Sequence, residues 1–300
     1  MTVVEAGQRI ALKNILFSTD FSPYSDVALP YGLAIARQYG AKVYGAHIVS
    51  SEDYLFTAPD TWPAHLQYEE QLRKEVTGHL EEQLGAFPHV SLVRTGDTWH
   101  EVSKLISEYA IDLLVMGTHG RTGVRKLLMG SVAEKIFRQA ACPVLSVGPN
   151  VPTKAESRIK FQRILFATKF GEESLAALPY ALSFAEEEQS ELALLRVVEQ
   201  PEAGVPRAEQ VKSSLWRRLE QLVPPDAASW CHLEYLVEFS HRFARPAERI
   251  VEVAKDRQAD LIVLGVRPTQ GTLSAVTHVA HSTAQHVVAH ATCPVLTVRG

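Results

Sequence analysis

Three glycines and a serine in the first half of the chain have the spacing of an anion-binding loop. Gly117, Gly120 and Gly130, with Ser131 directly after them, lie between an apolar run and a segment with helical periodicity. Because glycine has no Cβ, it lets the backbone come close to a ligand and permits positive φ. The unpaired N–H groups and the positive end of a helix dipole would then face the loop. This pattern predicts a site for the phosphates of a nucleotide.

Two better-known phosphate-binding loops do not match this segment. A Walker A loop ends in Gly-Lys-Ser or Gly-Lys-Thr, and neither tripeptide occurs in the chain. The Rossmann fingerprint needs three glycines within six residues, and the segment lacks them. The alternative is structural: the glycines shape a long loop, and Ser131 only starts a helix. The segment alone leaves both interpretations open.

The loop must be held between a strand and a helix. The apolar run at residues 112–116 predicts the strand. We expect the helix to begin with Ser131 as its N-cap, and Glu134 to complete a capping box. The apolar face of this helix is predicted to consist of Val132, Ile136, Phe137 and Ala140.

A carboxylate, Asp20, follows the first predicted strand. Ligands of open parallel sheets bind beyond the carboxyl ends of the strands, at the point where the strand order reverses. If the first and fourth strands are neighbours, Asp20 shares a crevice with Gly117 and can accept hydrogen bonds from ribose hydroxyls. The alternative for Asp20 is a turn residue ahead of Ser22 and Pro23, which are predicted to cap and open the first helix.

An internal repeat sets the domain organisation. Residues 15–21 and 28–31 recur at 164–170 and 177–180 with one offset, and the runs at 112–117 and 142–147 recur at 260–265 and 293–298. The two halves are therefore one module duplicated. We expect domains at residues 1–150 and 151–300, joined by the polar, proline-containing stretch at 149–160.

Within each copy, short β-rich runs alternate with helical patterns. The first copy has predicted strands near residues 13–19, 42–49, 89–94, 112–117 and 143–147. Such alternation predicts an α/β fold with a parallel sheet and helices on both faces. Pro30 and Pro179 fall inside the first helix of each copy, where proline costs about 3 kcal/mol, so a kink or an early break is expected.

Composition excludes several classes of protein. The chain of 300 residues has no apolar run of membrane-spanning length and no signal-peptide pattern at its N-terminus. Its net charge of −4 gives no general attraction to nucleic acid or to an anionic membrane. Its three cysteines are widely spaced, which argues against a disulfide framework and for a reducing compartment. We expect a cytoplasmic protein without nucleic-acid or membrane partners.

With these motifs and this repeat, the chain resembles a tandem universal stress protein over essentially its whole length. The ATP-binding members carry Gly, two residues, Gly, nine residues, Gly, then Ser or Thr, and Gly117, Gly120, Gly130 and Ser131 match that signature. The resemblance implies two tandem Rossmann-like domains of the adenine nucleotide alpha hydrolase-like type, each with a five-stranded parallel sheet. It also implies pairing of the two domains through their last strands, and a homodimer is a further possibility.

The resemblance implies that the first domain binds an adenine nucleotide, which is ATP or another one, and we expect Mg²⁺ with it. The residues placed near the ribose and the base are Thr19, Asp20, Ile48, Met116 and Gly117. The residues placed on the phosphate side are Gly120, Gly130, Ser131 and Val132.

Basic residues after the glycine turn are further candidates for phosphate contacts. Arg121, Arg125 and Lys126 could meet the β and γ phosphates, although exposed basic residues are common on loops. His119 either touches phosphate or only completes the turn. Tyr54, Phe56 and Trp62 either fold over the nucleotide as a lid or anchor their loop to the core.

The second copy departs from the phosphate signature. Lys169 replaces Asp20, Pro268 stands in place of Gly120, and His281 stands in place of Gly130. Ser282 and Gln285 still make a predicted capping box, so the fold signals survive. We predict one competent nucleotide site per chain. Four histidines suggest a zinc site by number alone, although two of them fall on the polar face of a helix; they are His278, His281, His286 and His290.

Three functions stay open at this point. The first is a nucleotide-binding regulatory protein of stress physiology. The second is a slow ATPase or self-phosphorylating enzyme, which ranks lower because no catalytic base beside a water-orienting residue can be identified. The third is a scaffold with a vestigial site, which predicts no affinity for nucleotides.

Overall fold

The protein, seen here in a computed structural model, is described for residues 10–50, 62–119, 129–156, 159–199, 205–240, 245–267 and 283–300. The chain divides into two compact units. The first contains residues 11–147 and 153–159, and the second contains residues 148–152 and 160–300. We call them the first and second domain. In the first, Arg37 of the first helix and Glu156 of the linker form an ion pair of 3.0 Å.

The first domain contains a five-stranded parallel sheet with the order β3-β2-β1-β4-β5. The chain builds β1, β2 and β3 outward on one side, and then crosses to β4 and β5 on the other. The strand order therefore reverses between β1 and β4. The strands are β1 (Asn14–Ser18), β2 (Lys42–Ser50), β3 (His89–Gly96), β4 (Leu113–Gly117) and β5 (Val144–Val147).

Helices cover both faces of this sheet. Alternate residues of a strand point to opposite faces, and here both sets are buried, as in Leu114 and Val115 of β4. A Cβ on Gly32 of α1 would be 3.3 Å from Val115, whereas Leu114 belongs to a buried cluster with residues of α3 and α4. The helices are α1 (Pro23–Tyr39), α2 (Trp62–Leu84), α3 (Thr98–Glu108) and α4 (Ser131–Gln139).

The second domain repeats this architecture and confirms the predicted duplication. Its parallel sheet has the order β8-β7-β6-β9-β10, so the strand order again reverses, here between β6 and β9. The strands are β6 (Arg163–Ala167), β7 (Glu191–Glu199), β8 (His232–Ser240), β9 (Leu261–Val266) and β10 (Val295–Arg299). The helices are α5 (Glu172–Glu188), α6 (Val205–Glu220), α7 (Pro246–Asp256) and α8 (Thr283–His290), with a short 3-10 helix at Ala227–Ser229.

The prolines inside α1 and α5 do not end these helices, so the expected early break is wrong. Each helix runs for 17 residues through Pro30 or Pro179. Buried residues flank the proline on both sides in α1, among them Leu29 and Leu33. Burying one such side chain contributes about 1.5–3 kcal/mol, so packing of both halves of the helix offsets the lost backbone hydrogen bond.

The strands of both sheets supply most of the core. Leu113, Leu114 and Val115 of β4 are fully buried, as are Leu261, Ile262 and Val263 of β9. All three cysteines, Cys142, Cys231 and Cys293, are buried and free. Among the helices described here, none combines the length and the apolar character that crossing a membrane would need.

Candidate functional site

The carboxyl ends of β1 and β4 meet at one edge of the first domain's sheet. The two strands are paired, with Ser18 in register with Met116. The segments that follow them are also in contact, because the Ser22 hydroxyl lies 3.5 Å from the His119 carbonyl oxygen and donates to it. The rings of Tyr24 and His119 lie 5.4 Å apart. The first and fourth strands are therefore neighbours, and Asp20 and Gly117 lie at the same edge of the sheet, which we call the crevice.

Thr19 is buried, and its hydrogen bonds hold the turn after β1 in place. Its N–H donates to the Ala46 carbonyl at 3.0 Å, and its hydroxyl donates to Ser25 Oγ at 3.0 Å. The same hydroxyl accepts from the Phe21 N–H at 3.0 Å. The Thr19 carbonyl lies 2.8 Å from His47 Nδ1, and since a carbonyl only accepts, that nitrogen carries the proton. These contacts give Thr19 a structural role, and its predicted place near the ribose stays a prediction.

Asp20 takes the turn role that the sequence offered as its alternative. Its Oδ1 accepts the Ser22 N–H at 3.0 Å, directly before the N-cap of α1. Ser22 caps α1 through its hydroxyl, which accepts the Ser25 N–H at 3.3 Å, and Pro23 opens the helix as predicted. The carboxylate is half-buried at the crevice. Its proposed contact with ribose is a separate role that these hydrogen bonds leave open.

Gly117 is explained by packing inside the protein. A Cβ at this position would lie 2.8 Å from the Tyr24 carbonyl oxygen and 3.0 Å from the Ser25 nitrogen. The first turn of α1 thus packs directly on the end of β4. Positive φ, which glycine permits, occurs at neither Gly117 nor Gly130, and φ at Gly130 is −60°.

Gly130 has no such packing reason in the described part of the chain. The nearest described atom to a Cβ there would be the Thr118 carbonyl oxygen at 3.6 Å, which is an ordinary contact. Its N–H donates to the same oxygen at 3.0 Å and ties the start of α4 to the end of β4. Any residue could adopt its backbone angles. Glycine at this position therefore needs another explanation.

Helix α4 begins one residue earlier than the sequence suggests. Gly130 is its N-cap, its carbonyl accepts the Glu134 N–H at 2.8 Å, and no side chain caps the helix there. The predicted capping box of Ser131 and Glu134 is wrong, because Glu134 pairs with Arg138 at 2.7 Å instead. The first N–H groups of α4 are thus left without an N-cap side chain at the crevice.

The buried face of α4 also differs from the predicted one. Ala133, Ile136 and Phe137 are buried, and Ala140 follows them at the C-cap. Val132 was expected on this face, but it is 38% exposed. An exposed valine in the first turn of α4 lies beside the uncapped N–H groups.

Ile48 and Met116 are buried apolar residues at this edge, and we call them the apolar floor. They are 8% and 5% exposed and belong to one buried cluster with Ala133 of α4. Cys142 belongs to the same cluster, and burial raises the pKa of its thiol to about 12. The thiol therefore stays protonated at neutral pH and is unsuited to act as a nucleophile.

Several predicted residues lie outside the described ranges. They are Tyr54, Phe56, Gly120, Arg121, Arg125 and Lys126 in the first domain, and Pro268, His278, His281 and Ser282 in the second. Trp62 opens α2, but its side chain is not described. Their predicted roles, including the lid, the second capping box and the contacts with the β and γ phosphates, stay predictions.

The equivalent edge of the second domain keeps the packing and changes the chemistry. A Cβ on Gly265 would overlap the backbone of Glu173 and Ser174. Gly265 therefore allows α5 to pack closely on β9, as Gly117 allows α1 to pack closely on β4. Lys169, in the place of Asp20, lies with its Nζ 3.4 Å from Thr283 Oγ1 at the start of α8. A carboxylate acceptor in one copy is thus an ammonium donor in the other.

The histidines of α8 contact one another. The rings of His286 and His290 are stacked with their centroids 4.0 Å apart, and His290 Nδ1 lies 2.8 Å from the His286 carbonyl oxygen. Within the described ranges, no three His, Cys, Asp or Glu side chains gather where they could hold a metal ion.

Sequence reasoning overlooked two residues that organise the crevice. His47 fixes the Thr19 carbonyl and stacks on Phe21, with ring centroids 4.5 Å apart. A histidine inside an otherwise apolar strand was the available signal. Ser22 was predicted only as a cap, yet it also joins the two loops through His119.

Taken as chemistry, the described crevice offers a carboxylate acceptor, uncapped N–H donors and an apolar floor. These groups suit the binding of an anion attached to a polar and partly apolar body. A hydroxyl and an imidazole also meet there, since Thr118 Oγ1 lies 3.0 Å from His119 Nδ1.

Known proteins resemble each half of this chain and the whole of it. The model of the Universal stress protein family matches residues 11–148 and again residues 160–299. A universal stress protein of Methanocaldococcus jannaschii is 30% identical over 150 residues, which cover 49% of this chain and 87% of that protein.

Solved structures agree with this over the full length. A universal stress protein from Archaeoglobus fulgidus has a TM-score of 0.68 at 20% identity, covering 97% of this chain and 99% of that one. A putative universal stress protein from Pseudomonas aeruginosa has a TM-score of 0.60 at 16% identity, covering 96% and 94% of the two chains. Since both domains match the family and the tandem fold recurs in these structures, the chain belongs to the universal stress protein family.

Proposed function

We propose that the first domain binds an adenine nucleotide, ATP with Mg²⁺, and that occupancy of this site regulates the protein's stability or its choice of partners. The protein would act in this way in the stress response of the cytoplasm. The second domain would not share this site.

The observation that carries the proposal is the start of α4. Gly130 is a glycine that the described fold does not need, at the N-cap of a helix that no side chain caps. A phosphate accepting from the first N–H groups of α4 would explain both facts, because a helix N-terminus favours negative charge and a side chain at residue 130 would crowd it.

The nucleoside side is supported by the position of Asp20 and by the apolar floor. A carboxylate has about four acceptor positions, so the turn hydrogen bond from Ser22 is compatible with further bonds from ribose hydroxyls. Ile48 and Met116 would support the flat face of a base. Pairing of the domains through their last strands, and dimerisation, are further proposals that rest on the family resemblance.

Calorimetric titration with Mg-ATP tests the proposal. We expect saturable binding by the unaltered protein, and at least about tenfold weaker binding by Gly130→Leu, because a tenfold change equals about 1.4 kcal/mol and the added side chain displaces a phosphate. Gly78→Leu is the matched control, because a Cβ on the exposed Gly78 of α2 would meet nothing within 4 Å. This variant should bind Mg-ATP as tightly as the unaltered protein.

Two results would contradict the proposal. One is a flat titration of the unaltered protein up to millimolar Mg-ATP. The other is a Gly130→Leu variant that folds normally, with an unchanged melting temperature, and binds Mg-ATP as tightly as the parent.

A further inference from the structure

Two arginines of the second domain lie against one aromatic ring. The Cζ atom of Arg218, on α6, is 4.2 Å from the centroid of the Phe170 ring, and that of Arg196, on β7, is 5.7 Å from it. Phe170 follows β6 directly, at the carboxyl edge of the sheet. We call Phe170, Arg196 and Arg218 the arginine cluster.

The charges of the arginine cluster have no carboxylate partner among the described residues. Arg196 donates through one terminal nitrogen to the Thr168 carbonyl at 3.4 Å, and its buried Nε has no hydrogen-bond partner in the described part of the chain. Burial and the nearby charge of Arg218 lower the pKa of Arg196. Half-buried positive charge without a counterion is unfavourable, so an anion near the cluster would stabilise it.

Other arginines of the same domain are paired. Arg249 contacts Glu238 and Glu252 at 3.0 Å, and Arg267 contacts Glu173 at 3.1 Å. Arg257 pairs with Glu234. Unlike these three arginines, Arg196 and Arg218 have no carboxylate partner among the described residues.

An open groove continues from the cluster along the exposed face of α6. Its volume is about 610 Å³, and every residue that lines it is exposed on or just after α6. Two guanidinium groups and one carboxylate line it, together with hydroxyl and amide donors. Besides Arg218, the lining consists of Glu209, Gln210, Ser213, Ser214, Arg217 and Gln221.

The first domain shows what the fold itself requires at this place. Phe21 has the same position after β1 and the same left-handed backbone, with φ of 57° against 62° at Phe170. Histidines take the places of the arginines: His47 and His79 lie with their rings 4.5 and 5.5 Å from that of Phe21. Since the first domain folds with two histidines at these positions, the fold does not require two permanently charged arginines there.

We propose that the arginine cluster and the adjoining groove bind a small ligand that carries phosphoryl groups, at a site separate from the crevice of the first domain. Guanidinium forks match the paired oxygens of a phosphoryl group, and a charge near −2 balances two arginines better than a single carboxylate does. Ser213 and Ser214 add hydroxyl donors along the groove.

Calorimetry on the full chain carrying Gly130→Leu tests this proposal, because that change is aimed at phosphate binding in the first domain. The probes are tripolyphosphate for a polyphosphate chain, β-glycerophosphate for a phosphomonoester, and citrate as a carboxylate anion. We expect saturable binding of one of the two phosphoryl probes, with citrate weaker. Adding Arg218→Gln should lower that affinity about tenfold, and Arg218→Lys should lower it less, since lysine keeps the charge without the fork.

The controls separate binding from folding. Arg218 is exposed on α6, so its replacement should leave the melting temperature unchanged. Arg257→Gln removes an arginine that already has a carboxylate partner, and it should leave the affinity unchanged. The proposal is overturned if neither phosphoryl probe binds at millimolar concentration, if Arg218→Gln binds as tightly as its parent, or if citrate binds equally well. These comparisons rest on Arg218, so they stand whether or not the first domain binds ATP.

Discussion

At the scale of single residues, two glycines of one motif have different causes. Gly117 is needed because α1 packs on it, and the duplicate keeps Gly265 for the same reason. Gly130 is not needed by any described contact, and the duplicate replaces it with His281. The motif could be found in the sequence, but the two causes could not be separated there, because the residues that crowd Gly117 are about ninety positions away.

Alanine substitutions should separate the two glycines. We expect Gly117→Ala to lower the free energy of unfolding by about 1–3 kcal/mol, since its Cβ would overlap the backbone of Tyr24. Gly130→Ala should stay within about 0.5 kcal/mol, because a poorer N-cap is offset by lower entropy of the unfolded chain. Urea denaturation measures both. An equal loss in the two variants would show that the fold requires Gly130 as well.

At the scale of elements, tertiary contacts decided where α4 begins and whether a proline breaks its helix. Ser131 and Glu134 have a capping-box spacing, yet the Gly130 N–H is anchored on the Thr118 carbonyl and α4 starts at that anchor. Pro30 lies in a helix that the sheet holds on both sides of it. In contrast, Ser22 and Pro23 start α1 as predicted, since a cap formed by adjacent residues is a local property.

Removal of the α1 cap should weaken both the fold and the site. Ser22→Ala loses the bond to the Ser25 N–H and the bond to the His119 carbonyl, so we expect about 1 kcal/mol less stability and weaker Mg-ATP binding. Asp97→Ala is the matched control, because Asp97 caps α3 by accepting the His100 N–H at 2.9 Å. It should lose similar stability and keep its affinity. Equal affinities in all three proteins would remove Ser22 from the organisation of the site.

At the scale of the whole molecule, duplication preserved the sheet and altered the charged residues at the carboxyl edge of its strands. Both domains have the same strand order, and each has a glycine packed against a helix near the end of the strand beside the reversal. Asp20 in one corresponds to Lys169 in the other, and His47 and His79 correspond to Arg196 and Arg218. The two copies are thus built alike, and the charges at this edge differ between them.

Stoichiometry tests this division between the domains. We expect one Mg-ATP per chain, because the second domain lacks the carboxylate of Asp20 and has Pro268 and His281 in the places of Gly120 and Gly130. Lys169→Ala should leave both the stoichiometry and the affinity unchanged, whereas Gly130→Leu should abolish or strongly weaken the signal. Two equivalents bound per chain, or a loss of one on Lys169→Ala, would assign a nucleotide to the second domain.

The sequence by itself determined the duplicated α/β architecture, the strands and the position of the glycine signature, because periodicity, repeats and glycine spacing are properties of neighbouring residues. Only the tertiary structure decided that Gly117 serves packing, that α4 starts at Gly130, that Pro30 is tolerated and that Arg196 and Arg218 meet at Phe170. Each of these depends on groups far apart in the chain, whose approach is set by how the helices pack on the sheet.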